Sequence, residues 1–368
     1  MKIVIVSGSN VIHTIRWVNG LASLGHEVHL FSCHERTESI DSKVIEHQMP
    51  FKAPFGYFLN VFFLKNEIKK ITPDIVNCHY ASGYGTLCNL AGIGKLYPYM
   101  LSVWGSDVYD FPKSSFIHEK LLVANLKAAH TIGSTSRCMG RVVQRYSSSC
   151  SLFITPFGVD DSLFKSKPVN YSNNKIVIGT IKRLMPKYGI DVLVKSFSLL
   201  VNELQGSYDV ELWIVGEGEQ RKELELLITN LGLTDKIRLF GSIPHNTVPA
   251  MLQKFDIYAA LSTLDSESFG VAIIEASLTG LPVVVSDVDG PAEVVINEVT
   301  GLIVPKFDDM AAKVAFKSLV ANEQLRRQMG ANGHNHVMDN YTWSFSLSKM
   351  LYAYEETIKQ RTPLKANV

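Results

Sequence analysis

Two carboxylates eight residues apart give this chain its clearest chemistry. Glu267 lies in the run Leu261-Ser262-Thr263-Leu264-Asp265-Ser266-Glu267-Ser268-Phe269-Gly270, and Glu275 follows within Val271–Thr279. The order predicts a strand end, a polar loop, and a helix that begins near Phe269 and stops at Gly280, with Pro282 just beyond. Unpaired N–H groups in the first turn of such a helix favour an anion such as a diphosphate. A carboxylate at either position can accept hydrogen bonds from sugar or ribose hydroxyls. The plainer alternative is an N-cap followed by an exposed helix carboxylate. A second candidate is Ile181-Lys182-Arg183-Leu184-Met185-Pro186-Lys187-Tyr188-Gly189, just after a strand-like run. Arg183 can grip phosphate oxygens with two parallel hydrogen bonds, and Lys187 adds a point charge. The alternative here is a solvated basic loop. His13 and His79 each follow a predicted strand, where each is either a structural imidazole or a group beside a ligand.

These groups must be positioned by alternating strands and helices. Apolar runs at 3–6, 28–32, 74–79 and 99–104 read as buried strands, with a helix over 14–24. The pattern restarts with strands at 175–180, 210–215, 237–240, 256–261 and 282–286, and with helices over 190–201 and 219–230. Two α/β domains follow, each a doubly wound parallel sheet, and ligands bind at the carboxyl ends of such strands. We expect an N-terminal domain over residues 1–165, a C-terminal domain over 166–343, and a terminal helix and tail over 344–368 that can cross back to the first domain. The hinge is placed near Pro156–Pro168.

Composition excludes several classes. At 368 residues the chain suits about two domains, and 46% apolar with 19% charged residues marks it as globular. Residues 1–165 carry 16 basic and 12 acidic side chains, and the remainder carries 20 and 23. That asymmetry is too small for nucleic-acid binding but is compatible with contact at an anionic surface. Five cysteines without a CxxC pair suggest a reducing compartment and no zinc site. The opening apolar run is too short for a signal peptide, and no stretch is long enough to span a membrane, so a cytoplasmic protein is expected. Asp287-Val288-Asp289 spells a metal motif but reads as a polar loop. Gly216-Glu217-Gly218 lacks the third glycine of a dinucleotide fingerprint, Arg221 standing in its place. Phe51–Leu64 is aromatic-rich with lysines nearby, and reads either as a core helix or as an interfacial membrane segment.

Several segments, in order, resemble family 4 glycosyltransferases of GT-B fold. They are Gly-Thr-Ile-Lys-Arg-Leu (179–184) with Lys187, Val215-Gly216-Glu217-Gly218 with Arg221, Leu239-Phe240-Gly241, and the Glu-x7-Glu spacing of Glu267 and Glu275. Gly280-Leu281-Pro282, Thr300-Gly301-Leu302 and the interdomain Phe157-Gly158-Val159-Asp160 complete the series. The resemblance implies two Rossmann-like domains facing across a cleft and transfer from a nucleotide-sugar, with retention of anomeric configuration and no metal or cofactor. It implies that Arg183, Lys187 and the amides of Ser268, Phe269 and Gly270 hold the donor diphosphate, with Gly216 and Gly218 in the donor site. Glu275 would hold the ribose and Glu267 would lie at the sugar. Where many relatives carry His-Gly, this chain has Trp104-Gly105-Ser106-Asp107, so that histidine's role cannot fall to position 104. His13, His79 and Asp107 remain as acceptor-side candidates. The implied activity is transfer of a hexose or N-acetylhexosamine, from a UDP-sugar, to a saccharide or polyprenyl-linked saccharide in surface polysaccharide (O-antigen type) synthesis. Peripheral contact with the inner membrane face is expected. The alternatives are a sugar-nucleotide epimerase of the same fold and a non-catalytic nucleotide-sugar binder.

Overall fold

The computed structural model describes residues 1–148, 150–166 and 175–361. Its chain forms two compact units, Met1–Phe157 together with the segment from Ser346 onward, and Gly158–Phe345. The passage between them therefore falls at Phe157–Gly158, eight residues before the sequence-based boundary. Pro168, the far end of the expected hinge, lies outside the described residues.

The first unit contains β1 (Lys2–Val6), β2 (Glu27–Ser32), β3 (Val44–Gln48), β4 (Ile75–His79), β5 (Tyr99–Val103), β6 (Thr131–Ser134) and β7 (Ser151–Ile154). All pair in parallel, in the order β3-β2-β1-β4-β5-β6-β7. The order reverses between β1 and β4, so the loops after those two strands border the crevice of a doubly wound sheet. Ile3, Val4, Ile5 and Val6 are fully buried because helices cover both faces of a parallel sheet.

The terminal helix, Trp343–Arg361, belongs mainly to this first unit. Tyr354 accepts a hydrogen bond from the Asn77 amide at 2.8 Å, and Thr357 meets Thr131 at 2.5 Å. Buried polar groups of β4 and β6 are thereby paired, which a purely apolar helix could not do.

The second unit contains β8 (Lys175–Ile181), β9 (Asp209–Val215), β10 (Ile237–Leu239), β11 (Ile257–Ala260), β12 (Val283–Ser286) and β13 (Gly301–Val304). They are parallel in the order β10-β9-β8-β11-β12-β13, which reverses between β8 and β11. The Ile190–Leu204 helix buries Leu193, Val194, Phe197 and Leu200 against this sheet. Two chain segments lie side by side in this unit: Val159 donates its N–H to Tyr341, and Trp343 donates to Val159.

Candidate active site

The site of the second unit forms at its switch point. Three loops are laced together there. Lys182 donates its backbone N–H to Val215 at 3.0 Å, and Leu184 donates to Glu217 at 3.0 Å. Thr263 donates to the Lys187 carbonyl at 2.8 Å. Gly216 has φ +146°, and a Cβ there would overlap the Lys182 carbonyl; a Cβ on Gly218 would overlap Leu184. These two glycines let the loops after β8 and β9 touch backbone to backbone.

Glu267 sits where these loops converge and is buried. One carboxylate oxygen pairs with the Lys182 ammonium and the other accepts from the Ser262 hydroxyl. Lys182 is itself nearly inaccessible, with 9% of its side chain exposed. Burial alone would push its ammonium down, but the Glu267 carboxylate, with Tyr258 and Tyr188, holds it above the usual lysine value. Ser262 is in turn fixed by its carbonyl, which accepts from Ser286 at 2.5 Å.

Glu275 lies on the helix Val271–Leu278, which starts after Gly270 turns through φ +101°. The helix therefore begins two residues later than expected at Phe269, because the left-handed turn at Gly270 interrupts it. Glu275 is buried, not an exposed helix carboxylate, and meets His245 Nε2 at 3.1 Å. Ser268 and Phe269 are buried beside the turn, and a Cβ on Gly290 would overlap the backbone of residues 267–269. Arg183 is exposed. Lys187 is half-buried, with Nζ 5.0 Å from the Tyr188 ring centroid. The cation brought to Glu267 is thus Lys182, not either of the two singled out from sequence. Lys182 follows directly on β8, a strand buried on both faces, so alternation along it does not single out which of the two adjacent cations turns inward. His245 and Ser262 carried no spacing signal. Asp287 accepts the Lys306 backbone N–H at 2.8 Å, and Asp289 opens the short helix Asp289–Glu293.

The corresponding place in the first unit has a different chemistry. His79, at the end of β4, is fully buried, and neither ring nitrogen has a hydrogen-bond partner among the described residues. Burial, with His13 nearby as a second cause, pushes its pKa down to about 3, so the ring is neutral. Trp104 lies 4.6 Å from it, centroid to centroid. His13 is half-buried, stacks on Phe157 at 4.0 Å, and meets Trp104 edge-on at 5.9 Å. Asp107 is buried and accepts the backbone N–H groups of Ala81, Trp104 and Gly105 at 2.8–3.1 Å. Burial raises its pKa, and those three bonds oppose the rise. The carboxylate organises the loops after β4 and β5.

Residues 161–336 match the family described as "Glycosyl transferases group 1", and residues 2–136 match "Glycosyl transferase 4-like". With two parallel Rossmann-like sheets and matches along most of its length, the chain belongs to the group 1 glycosyltransferases of GT-B fold. It is 27% identical over 297 residues to a phosphatidylinositol N-acetylglucosaminyltransferase subunit from Arabidopsis thaliana, covering 79% of this chain and 63% of that protein. It is 28% identical over 216 residues to a GDP-mannose-dependent alpha-(1-6)-phosphatidylinositol monomannoside mannosyltransferase of Mycolicibacterium smegmatis, covering 55% of this chain and 56% of that one. The matched segments thus span less than two thirds of either relative. Among solved structures, Anabaena HepE in complex with UDP superposes with a TM-score of 0.79 at 17% identity, over 97% of this chain and all of that one. At that identity the likeness carries the fold alone.

Proposed function

We propose that this chain is a retaining, metal-independent transferase moving a hexose or N-acetylhexosamine from a UDP-sugar to a lipid-linked saccharide in surface polysaccharide synthesis. The observation that supports this reading most is the buried Lys182–Glu267–Ser262 group beside the buried Glu275, all at the β8/β11 switch point. In this reading the donor diphosphate sits over the loop after β8 and the start of the Val271–Leu278 helix. Arg183 and Lys187, whose side chains make no ion pair among the described residues, reach its oxygens. The amides at Ser268, Phe269 and Gly270 lie alongside, and Gly216 and Gly218 leave the backbone accessible. Glu275 accepts hydrogen bonds from the ribose hydroxyls. Glu267, oriented by Lys182 and Ser262, faces the sugar. The acceptor oxygen bonds to the anomeric carbon on the face the diphosphate leaves, while the bond from that carbon to the phosphate oxygen breaks. The acceptor's proton passes to the departing phosphate, and UDP leaves. Fixed positive charge lowers the energy of that developing anion.

His13 is proposed on the acceptor side, with His79 and Asp107 shaping the wall behind it. The UDP preference draws on HepE, solved with UDP and with UDP-glucose. The lipid-linked acceptor draws on the phosphatidylinositol substrates in the names of two relatives. No helix among the described residues is long and apolar enough to cross a membrane, so a cytoplasmic enzyme docking peripherally on the inner face fits the reading. Incubating the protein with labelled UDP-glucose, UDP-N-acetylglucosamine or GDP-mannose plus a lipid-linked saccharide tests the reading. Transfer from a UDP-sugar, unchanged by EDTA, is expected. An epimerised donor, binding without transfer, or transfer that chelation abolishes and magnesium restores would overturn it.

A further inference from the structure

The first unit carries an apolar stripe that nothing in the described chain covers. Phe55 is 75% exposed, Phe58 57%, Leu59 55% and Phe62 80%. They recur at i, i+3, i+4 and i+7 across two short helices that meet at Asn60, which closes the first by donating to Gly56 and opens the second by accepting from Leu64. All four side chains are exposed along the helices Gly56–Leu59 and Val61–Ile71 and the residue that opens them. The opposite face is the buried one, with Leu64 and Ile68 fully inaccessible and Tyr57 packed edge-on against Tyr84. These aromatics are not on a frayed loop. The Asn60 side chain clamps the approach to the helix: its amide donates to the Phe51 carbonyl at 2.7 Å and its carbonyl accepts from Phe51 N–H at 3.1 Å. A Cβ on Gly56 would overlap that same Phe51 carbonyl, so only glycine admits this crossing. The fold is built so that the stripe faces outward.

Charge distinguishes the partner. No acidic residue occurs between Glu46 and Glu67. The stripe continues along its own face into Lys65 and Lys69, at i+3 and i+7 from Phe62, and neither makes an ion pair among the described residues. Lys52, at the other end, is exposed and pairs with the equally exposed Glu35. A second copy docking here by two-fold symmetry would set the same lysines against one another. A surface that is apolar in its interior and anionic at its rim satisfies both features, because phenylalanines enter the acyl boundary while lysine stems lie along it with their ammonium groups at the headgroups.

We propose that Phe55, Phe58, Leu59 and Phe62, rimmed by Lys65 and Lys69, dock this protein on an anionic lipid bilayer. The proposal specifies the surface behind the peripheral docking included in the functional reading, yet its test needs no activity. The full chain is sedimented with vesicles of phosphatidylcholine alone or mixed with phosphatidylglycerol, at low and high salt, beside the variants Phe58→Ser/Phe62→Ser and Lys65→Glu/Lys69→Glu. Wild type should bind the anionic vesicles at low salt and release on raising it, since screening weakens surface attraction. Each double variant should lose about tenfold or more in partitioning. Both should melt like wild type, because the changed side chains face solvent. They should also hydrolyse or bind the sugar nucleotide in vesicle-free buffer as wild type does. Wild type that stays in the supernatant at low salt, or a phenylalanine variant that binds as well as wild type, overturns the assignment. So does a concentration-dependent dimer that the phenylalanine variant dissolves. Loss of donor binding in wild type would instead count against the functional reading and leave the vesicle result standing.

Discussion

At the switch point of the second sheet a buried ammonium faces a buried carboxylate. At the switch point of the first sheet an imidazole lies buried among aromatic rings, held neutral and without a hydrogen-bond partner among the described residues. The winding of the two sheets is the same there, and both reversals put strand ends beside a crevice. The side chains leaving those strand ends make the difference. After β8 they are charged and interlocked, which suits a ligand whose own charge grows during reaction. After β1, β4 and β5 they are His13, His79 and Trp104, aromatic rings packed against one another. One topology thus supplies two surfaces of opposite character, and the variants below separate them.

The largest effect is expected at Lys182. Lys182→Met leaves Glu267 buried without its cation, and breaking a buried pair from one side costs about 3–5 kcal/mol. The melting temperature should fall clearly, and kcat/KM should drop by about a hundredfold or more. Lys182→Met with Glu267→Leu should recover much of the stability and none of the activity. A double variant as unstable as the single one would show that the pair is not the unit described here.

The aromatic site should show itself through pH. His79 is depressed to about 3, below an unfolded value of 6.5, because the folded protein buries it neutral. Below pH 6.5 the unfolded chain takes up a proton that the folded one refuses, so stability is full above that pH and falls as pH drops toward about 3. The slope is about 1.4 kcal/mol for each pH unit in the window. Other histidines lowered by burial, His26, His34, His47, His130 and His336, add to the slope, so melting curves of His79→Met should be shallower than wild type by about that amount. A variant with the wild-type pH profile would show that another group controls it.

How much of this could be read from the chain depended on burial. β1, β2, β4 and β5 were legible because continuous apolar runs have no other place in a globular fold. β3 was not: of Val44, Ile45, Glu46, His47 and Gln48 only Val44 is buried, as befits an edge strand. β6 hides in Thr131, Ile132, Gly133 and Ser134, where one large apolar residue stands among small ones that fill tight space without looking hydrophobic. In the site, Glu267 and Glu275 stood out by spacing. Lys182 did not, because alternation along a strand buried on both faces does not decide which of two adjacent cations turns inward. His245 is thirty residues from Glu275 in sequence, and only the sheet brings them together.

Smaller effects should follow the same division. Glu275→Gln should raise the donor KM about tenfold with little change in kcat, since a ribose contact holds ground and transition states alike. A selective fall in kcat would place Glu275 at the reacting centre instead. Arg183→Ala, at an exposed side chain, should cost less than Glu275→Gln in steady-state kinetics, with an unchanged melting temperature. A loss as large as that of Lys182→Met would make Arg183 the principal cation.

The central claim is that the nucleotide is held by the second unit's charged site. Calorimetric titration of UDP into wild type, Glu275→Gln and His13→Ala tests it most directly. The account predicts saturable binding to wild type, binding weakened about tenfold by Glu275→Gln, and binding unchanged by His13→Ala. UDP binding that ignores Glu275→Gln and is lost in His13→Ala would contradict it.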